Sequence, residues 1–347
     1  MAGAHHPVGE LAAFGHINEQ YEYRKNFIIR QLEKGGIEPR FDAVIARGGL
    51  LRPTGGGVYA VNGLMKHDLL NAAHEHACNL GALIADELAG QCGCPAYIAD
   101  PEVVDELQPV ARLTGIPGIE RRSIFHALNS KAVSRRYAAS AGRRYEDMNL
   151  IVAHLGGGIS VGAHRKGLVV DVNNALDGEG PFSPERAGTV PAMQFAELCF
   201  SGKYTLRQVK QMLNGKGGLA AYLGNNDMIT VSRKAEDGEE PYRTVLDAML
   251  YTVAKQIGAM HVTLLGQTDA IILTGGIAYS KYCVGILRRQ TEFLAPVVVM
   301  PGEDEMGALA ANALGALRGE LPLIEYTGGT DVVPEVIKRL HKGVTAE

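Results

Sequence analysis

Apolar residues recur along the chain at two spacings, and the spacing predicts which stretches are helices and which are strands. Helical spacing predicts helices over residues 17–35, 66–90, 123–141, 191–200, 205–213, 240–265 and 305–318. Short apolar runs predict strands at 42–46, 96–99, 150–153, 269–273 and 297–300, and a hairpin of residues 160–164 and 168–173. Because the strands alternate with helices, the pattern predicts an α/β protein with two lobes.

Two of the predicted strands run directly into adjacent glycines. One leads into His154-Leu-Gly156-Gly157-Gly158, and the other leads into Thr274-Gly275-Gly276-Ile277. Adjacent glycines let backbone N–H groups approach an anion closely, because no Cβ is in the way. Two such loops, about 120 residues apart, indicate a nucleotide held between two walls.

Composition excludes several classes of protein. A net charge of −4 provides no basic surface for nucleic acid. No apolar run reaches the length of a transmembrane helix, and the first ten residues lack the basic and apolar regions of a signal peptide. Five scattered cysteines favour reduced thiols over a disulfide framework. We therefore expect a cytoplasmic protein with no nucleic-acid or membrane partner.

Seven segments of the chain resemble the butyrate kinase family and occur in that family's order. They are Arg47–Pro53, His76–Gly81, Asp100–Leu107, Ser123–Asn129, His154–Ser160, Asp177–Arg186 and Thr274–Ala278. The segment Asp177–Arg186 is especially specific, because acetate kinase, the nearest relative, differs there. Acetate kinases also have Asn at the position of Gly157, which favours the butyrate type.

The resemblance implies a fold, a reaction and an assembly. The fold is that of the actin, hexokinase and sugar-kinase superfamily, two ribonuclease-H-like α/β domains with ATP in the cleft between them. We expect the first domain at residues 1–149, rejoined by 304–347, and a second, nucleotide-binding domain at 150–303. The implied partners are ATP and a small-molecule carboxylate, and we expect a homodimer or a higher homo-oligomer.

The resemblance also implies two arginine clamps on the reacting groups. Arg47 directly follows a predicted buried strand, and Arg186 lies in a segment rich in turn-forming residues. A planar guanidinium suits bidentate recognition of carboxylate and phosphoryl oxygens. Taken without the resemblance, Arg47 fits a surface turn, and Arg186 fits a salt bridge to Glu185 or Asp177.

Four further residues are assigned to the site by the same resemblance. Asp100 would support Mg²⁺ or orient the substrate, although an Asp before a proline is also a common turn cap. His126 matches an active-site histidine, although a lone His on an apolar helix is more often a core residue. His154 ranks above His126 as a donor to the transferred phosphoryl group, because it begins the glycine loop. Asn79 would line the substrate site.

The nucleotide and the metal are assigned to three segments. Gly156, Gly157 and Gly158 would supply N–H groups to phosphates, and Gly275, Gly276 and Ile277 would contact the adenosine and its α-phosphate. Asp304 or Glu305 would hold a water bound to Mg²⁺. Acidic residues at a helix start also favour the helix dipole, which is the simpler interpretation of this last pair.

One departure from the family bears on activity. The family opens with a strand and the loop Asn-Pro-Gly-Ser-Thr-Ser-Thr-Lys, and no similar segment precedes residue 17 here. We expect that a late start codon or a truncation removed this phosphate loop, and that the chain as written binds ATP·Mg²⁺ weakly. The leading hypothesis is reversible conversion of butanoate and ATP to butanoyl phosphate and ADP. The alternatives are a catalytically impaired nucleotide-binding remnant, or a kinase for branched-chain acids or acetate.

Overall fold

A computed structural model of the chain describes residues 8–11, 13–72, 75–329, 333–335 and 337–338. Its residues divide into two units with separate cores, Met1–Val104 with Glu305–Val332, and Asp105–Asp304 with Val333–Glu347. No helix in the described part is long and apolar enough to cross a membrane.

The helices and strands of the described residues are numbered in chain order. The helices are α1 Val8–Leu11, α2 Tyr21–Lys34, α3 Gly63–Leu70, α4 Gly81–Cys92, α5 Ala127–Ser140, α6 Ala192–Phe200, α7 Leu206–Leu213, α8 Gly218–Leu223, α9 Met228–Glu236, α10 Tyr242–Thr263, α11 Lys281–Thr291 and α12 Glu305–Leu317. The strands are β1 Val44–Ala46, β2 Val58–Ala60, β3 Ala96–Ala99, β4 Asn149–Leu155, β5 Ile159–Arg165, β6 Leu168–Val172, β7 Ala270–Thr274, β8 Val297–Val299 and β9 Leu323–Glu325.

The first unit is built on a four-stranded sheet in the order β1-β3-β2-β9. Strands β1 and β3 are parallel, whereas β2 runs antiparallel to β3. Met65, Leu69 and Ile98 are almost fully buried in its core. Because β1 and β3 are parallel, Arg47 and Asp100, which directly follow them, emerge at the same edge of the sheet.

The second unit is built on a five-stranded sheet in the order β6-β5-β4-β7-β8. Strands β4, β5 and β6 form an antiparallel meander, and β4, β7 and β8 are parallel. Alternate residues of β4 serve two cores: Ile151 and Ala153 pack with helix α10, whereas Leu150 and Val152 pack with α5. Burial on both faces explains why the central strands read as continuous apolar runs.

Most predicted strands and the predicted hairpin are confirmed, but one predicted helix is wrong. Residues 66–90 form two helices, α3 and α4, with a short 3₁₀ turn at Ala77–Leu80 between them. At the end of helix α3, the side-chain amide of Asn71 donates to the carbonyl of His67 at 2.8 Å. Helix α4 begins at Gly81, where a Cβ would lie 2.7 Å from the carbonyl oxygen of Arg47. This packing of α4 against the end of β1 was not visible in the periodicity.

Several elements were not predicted, and one helix starts later than expected. Strands β2 and β9 and helices α8, α9 and α11 had no predicted counterpart. Helix α5 begins at Ala127, so His126 occupies its N-cap position rather than a position within the helix.

Residues 105–149 pack with the second unit, because α5 contacts β4 and β7. The assignment of residues 1–149 and 304–347 to a first domain and 150–303 to a second stays a prediction. Residues 330–332, 336 and 339–347 of the expected rejoining segment lie outside the described residues.

A buried polar cluster lies between α5 and the hairpin of the second unit. His164 on β5 is fully buried, and its Nδ1 lies 2.7 Å from the hydroxyl of Tyr145 and 3.4 Å from that of Ser134. Burial lowers the pKa of His164 to about 3, and the positive charges of Lys131 and Arg135 contribute in the same direction. The imidazole is therefore neutral in the folded protein, and its Nδ1 shares a hydrogen bond with the hydroxyl of Tyr145.

This histidine should make the protein less stable in acid. Below its ordinary pKa of 6.5, the unfolded chain binds a proton at His164 that the folded chain does not bind until about pH 3. The free energy of unfolding should therefore fall between these pH values by up to about 1.4 kcal/mol per pH unit on account of this residue. His164→Gln keeps a hydrogen-bonding side chain without the titration, and its free energy of unfolding in urea should fall less steeply between pH 6.5 and 4.5. Equal slopes for the variant and the wild type would contradict the assignment.

Candidate functional site

The two glycine loops lie side by side at one edge of the second sheet. Strands β4 and β7 are parallel neighbours, with His154 opposite Thr274 in the register. Gly275 follows with a φ of +85°, and a Cβ there would overlap the carbonyl oxygen of Leu155 and lie 2.7 Å from its carbonyl carbon. The contact between the loops therefore requires glycine at position 275.

The remaining glycines of the two loops differ in what surrounds them. A Cβ on Gly158 would overlap the guanidinium of Arg186, so this glycine makes room for an arginine of the protein itself. A Cβ on Gly157 would meet only the carboxylate of Glu185 at 3.7–3.8 Å, and one on Gly276 would meet nothing within 4 Å. Gly157 and Gly276 thus have open space beside them. A Cβ on Gly156 would instead lie 3.1 Å from Nε2 of His154, and the N–H of Gly156 already donates to the carbonyl of Gly158 at 3.1 Å. The side chain of Ile277 is buried in the core, which leaves only its backbone for a ligand.

His126 and His154 form a stacked pair beside the first glycine loop. Their ring centroids are 3.7 Å apart, and the ring planes differ by 7°. Nδ1 of His126 lies 2.9 Å from the hydroxyl of Ser160, at the start of β5. The structure thus brings together the two histidines that the sequence placed 28 residues apart, and the helix N-terminus and the strand end hold them in a fixed orientation.

Two polar side chains, Asn129 and Glu303, lie against the ring of His154, which is almost completely buried. The amide nitrogen of Asn129 lies 2.9 Å from Nδ1 of His154 and 3.3 Å from the hydroxyl of Thr274. As the amide is placed, it donates to Nδ1, so the ring proton of a neutral His154 is on Nε2. Nε2 lies 3.0 Å from a carboxylate oxygen of Glu303.

Sequence reasoning missed the four residues that surround the histidine pair: Asn129, Ser160, Thr274 and Glu303. Three of them stand inside the segments that carried the family resemblance, Asn129 and Ser160 as the last residue of their segments and Thr274 as the first. Glu303 offered only the signal of an acidic residue before a helix, which the helix dipole explains equally well. Its position beside His154 is a consequence of the sheet order.

Arg186 lies against the first glycine loop and is held by the chain around it. Its guanidinium donates to the carbonyl of Ala175, and its Nε donates to Oδ1 of Asn214 at 3.3 Å. Burial lowers the pKa of Arg186, and the negative charges of Glu185 and Asp177 oppose this effect. A guanidinium stays protonated in proteins. The unit therefore holds a half-buried positive charge beside its glycine loop.

In the first unit, Arg47 is the centre of a charged cluster at the end of β1. Its guanidinium lies 2.6 Å from Glu102 and 3.3 Å from Glu305. The thiol of Cys78 is close by, and burial, together with the charge of Glu102, raises its pKa to about 12. Glu102 was not singled out from the sequence, although it lies in the segment that begins at Asp100.

Asp100 and Asn79 hold backbone segments of the first unit. Asp100 is buried, adopts a φ of +38°, and accepts a hydrogen bond of 2.8 Å from the backbone N–H of Gly57. A non-glycine residue in this conformation is strained, and such strain concentrates at functional sites. Oδ1 of Asn79 accepts from the N–H of Leu50 at 2.8 Å, which holds the loop that follows Arg47. Their roles toward substrate stay predictions.

The two carboxylates proposed for the metal have different surroundings. Asp304, in the second unit, is 59% exposed and lies 3.7 Å from Arg136, whereas Glu305, in the first unit, pairs with Arg47. Across the described ranges of the chain, no three His, Cys, Asp or Glu side chains are grouped so as to hold a metal ion.

Comparisons with known proteins identify relatives of this chain. Residues 113–294 match the model of the acetokinase family. The chain is 76% identical over 325 residues to a "Probable butyrate kinase" of Phocaeicola vulgatus, covering 94% of the chain and 92% of that protein. It is 53% identical over 322 residues to a "Probable butyrate kinase" of Bacteroides thetaiotaomicron, covering 92% and 91%.

Among solved structures, the acetate kinase of Porphyromonas gingivalis superposes with a TM-score of 0.69, over 80% of this chain and 78% of that one, at 18% identity. This likeness shows the fold alone, the two-domain α/β fold of the actin-like ATPases. The fold class predicted from the sequence is confirmed.

The two neighbouring glycines of the second loop should respond differently to substitution. Gly275→Ala places a side chain in a backbone conformation that only glycine adopts readily, and against Leu155, so it should lower the free energy of unfolding by at least about 2 kcal/mol. Gly276→Ala enters open space and should change it by less than about 0.5 kcal/mol. Urea unfolding of both variants measures the difference. Equal losses would show that Gly275 is not needed for the contact between the loops.

Proposed function

The chain belongs to the acetokinase family, and on that premise we propose that it transfers the γ-phosphoryl group of ATP reversibly to butanoate, forming butanoyl phosphate and ADP. Membership makes it a phosphotransferase with a carboxyl group as acceptor. The choice of butanoate is supported by the names of the two relatives at 76% and 53% identity. The structural observation that carries the proposal is the convergence of His126, His154 and Arg186 on the first glycine loop.

The acceptor needs no general base. A short-chain carboxylate is already ionised at neutral pH, so one of its oxygens attacks the γ-phosphorus while the bond to the β-phosphate oxygen breaks and ADP leaves. Phosphoryl transfer spreads negative charge over the oxygens of the transferred group, and catalysis is mainly positioning and electrostatic stabilisation. The residues required are therefore hydrogen-bond donors and cations rather than proton acceptors.

We assign these tasks to His154 and Arg186 in the second unit. We take Nε2–H of His154 as the donor, because Asn129 occupies Nδ1, and the carboxylate of Glu303 lies 3.0 Å from Nε2. The transferred phosphoryl oxygen takes the place of this carboxylate beside Nε2, because the Glu303 side chain is 41% exposed and can turn toward water. Arg186 supplies the positive charge, and His126 holds the ring of His154 by stacking.

We assign recognition of the acceptor carboxylate to Arg47 in the first unit. Its pairing with Glu102 and Glu305 holds the guanidinium in place, and Asn79 supports the loop behind it. Asp100 orients this region through its bond to Gly57.

ATP is the phosphoryl donor of this family, and we propose that Mg²⁺ accompanies it. Mg²⁺ is usually held by one or two carboxylates together with the phosphates of the substrate, so a group of three protein ligands is not required. The exposed carboxylate of Asp304 fits this donor set better than Glu305, which pairs with Arg47. When bound, the ion would neutralise charge on the phosphates.

A series of carboxylates tests the proposed substrate. With ATP and Mg²⁺, kcat/KM measured as formation of the acyl hydroxamate should be highest for butanoate, and lower by tenfold or more for acetate. Propionate, isobutyrate and pentanoate complete the series. A preference for acetate or isobutyrate would overturn the choice of acid without overturning the carboxylate kinase. Absence of turnover with every acid, in a chain that binds ATP, would support the impaired form.

Removal of either arginine should reduce turnover. Arg47→Ala and Arg186→Ala should each lower kcat by on the order of a hundredfold or more, since each removes a charge that stabilises the transition state. The dissociation constant for ATP, measured by calorimetry, should change by less than about threefold.

Arg143→Ala is the matched control, because Arg143 is a partly exposed arginine whose ion pair with Asp269 lies outside these loops. Its kcat should stay near the wild-type value. If Arg186→Ala or Arg47→Ala also keeps near-normal turnover, that arginine has only a structural role.

Bulk at the two open glycines should weaken nucleotide binding. Gly276→Val and Gly157→Val project side chains into the space that we assign to the nucleotide, and each should raise the dissociation constant for ATP by tenfold or more. Gly258→Val on α10 is the control, since a Cβ there also meets nothing within 4 Å. Unchanged ATP affinity in folded Gly276→Val would remove the second loop from the nucleotide site.

A further inference from the structure

Two cysteines stand two residues apart where helix α4 ends, and the proposed phosphoryl transfer uses neither of them. Cys92 is the last residue of α4, Gly93 is its C-cap, and Cys94 leads into strand β3. Both cysteines have free thiols and are partly exposed. A small reagent in solution can therefore reach this pair of thiols.

The left-handed conformation of Gly93 sets the distance between the two cysteines. Gly93 has a φ of 68° and a ψ of 29°, and the N–H of Cys94 donates back to the carbonyl of Ala89 at 3.1 Å. The Cα atoms on either side of a residue are about 5.4 Å apart when that residue has helical dihedral angles of either hand. Disulfides usually join Cα atoms about 4.4–6.8 Å apart. The turn therefore holds Cys92 and Cys94 at the separation that a disulfide requires.

The two thiols already interact in the reduced chain. Burial raises the pKa of Cys94, and Cys92 raises it further through its charge and through a hydrogen bond between the side chains. Sγ of Cys92 also donates to the backbone carbonyl of Pro39 at 3.1 Å. Both sulfur atoms are thus on the same side of the turn, and closing a bond between them needs only a local rotation of the side chains.

A zinc site is the other use to which paired thiols are commonly put. Structural zinc is held by four ligands, usually cysteine and histidine. Within the described ranges, no third His, Cys, Asp or Glu side chain joins these two cysteines in a group that could hold a metal ion. The surroundings of the pair therefore favour thiol chemistry.

We propose that Cys92 and Cys94 form a reversible dithiol–disulfide couple that exchanges with the disulfides of small thiols such as glutathione. Disulfides of cytosolic proteins are usually transient, catalytic or redox-sensing, and exposed ones are the more easily reduced. The couple is therefore reduced again by excess reduced glutathione.

The exchange proceeds in two steps that balance. The thiolate of one cysteine attacks a sulfur of oxidised glutathione, a mixed disulfide forms, and the first glutathione leaves as a thiolate. The other cysteine loses its proton and attacks the protein sulfur of the mixed disulfide, and the second glutathione leaves. The pair has then lost two electrons, one external disulfide has become two thiols, and the two protons of the pair pass to them.

The couple is separate from the residues that we assign to phosphoryl transfer. Arg47 and Asp100 follow the ends of the parallel strands β1 and β3, whereas Cys94 precedes the start of β3. The strand itself separates these two edges of the sheet by about 13 Å. The couple thus stands whether or not the chain phosphorylates a carboxylate.

Oxidation of the full chain tests the couple. After incubation with excess oxidised glutathione at about pH 8, the chain is denatured, alkylated with a maleimide and analysed by tandem mass spectrometry. Of the five cysteines, Cys92 and Cys94 should be joined to each other and escape alkylation, with neither bound to glutathione. Excess reduced glutathione should restore both thiols. Alkylation of both cysteines after oxidation, or a stable glutathione adduct on either of them, would overturn the proposal.

Single variants should trap the mixed disulfide. Cys92→Ser and Cys94→Ser each lack the thiol that resolves it, so the remaining cysteine should carry at least tenfold more glutathione adduct than in the wild type. Cys199→Ser is the matched control, because Cys199 is a partly exposed free cysteine in the second unit, and its Cys92–Cys94 disulfide should close as in the wild type. Circular dichroism confirms that each variant is folded. Adduct levels in both variants equal to the wild-type level would contradict the two-step exchange.

A trivalent arsenical tests the pairing of the thiols without oxidation. Phenylarsine oxide binds two neighbouring thiolates at once, and linking two contacts in this way should strengthen its binding by about a hundredfold or more. The reduced wild type and Cys199→Ser should therefore bind it more tightly than Cys92→Ser or Cys94→Ser by this factor. Equal affinity in all four proteins would show that the two thiols do not act as a pair.

Discussion

The parallel pairing of β4 with β7 is the constraint on which the candidate site of the second unit depends. It places His154 opposite Thr274 and makes the two glycine turns that follow emerge side by side. The turns approach so closely that position 275 has no room for a Cβ beside Leu155. Two loops more than a hundred residues apart in sequence thereby lie next to each other.

A buried polar network beside the two loops orients the imidazole of His154. Asn129 comes from the first turn of α5, Ser160 from β5 and Thr274 from the end of β7, and the stacked rings of His126 and His154 lie among them. The contacts of Ser160 and Asn129 with the Nδ1 atoms of the two rings hold the rings in one orientation. The same turn brings the guanidinium of Arg186 against Gly158. The orientation of His154 and the position of the Arg186 charge are therefore both set where β4 and β7 end.

The first unit applies the same geometry with different side chains. Parallel β1 and β3 end together, which places Arg47 and the strained, buried Asp100 at one edge of their sheet. Glu102 and Glu305 neutralise the guanidinium of Arg47, and Asn79 fixes the backbone behind it. In both units an arginine follows or adjoins a glycine-rich turn at the end of a strand.

The sequence by itself determined the α/β class, most strands and the positions of both glycine loops, because short apolar runs and glycine clusters are local properties. It named the histidines and arginines only as candidates for the site. The sequence also predicted one long helix at 66–90, and this prediction is wrong. The end of α3 near Asn71 and the contact of Gly81 with Arg47 depend on packing, which the local pattern does not show. Only the tertiary structure decided that Glu303 faces His154 and that Gly158 serves Arg186. These are distances between segments remote in sequence, and sheet order and side-chain packing set them rather than any local pattern.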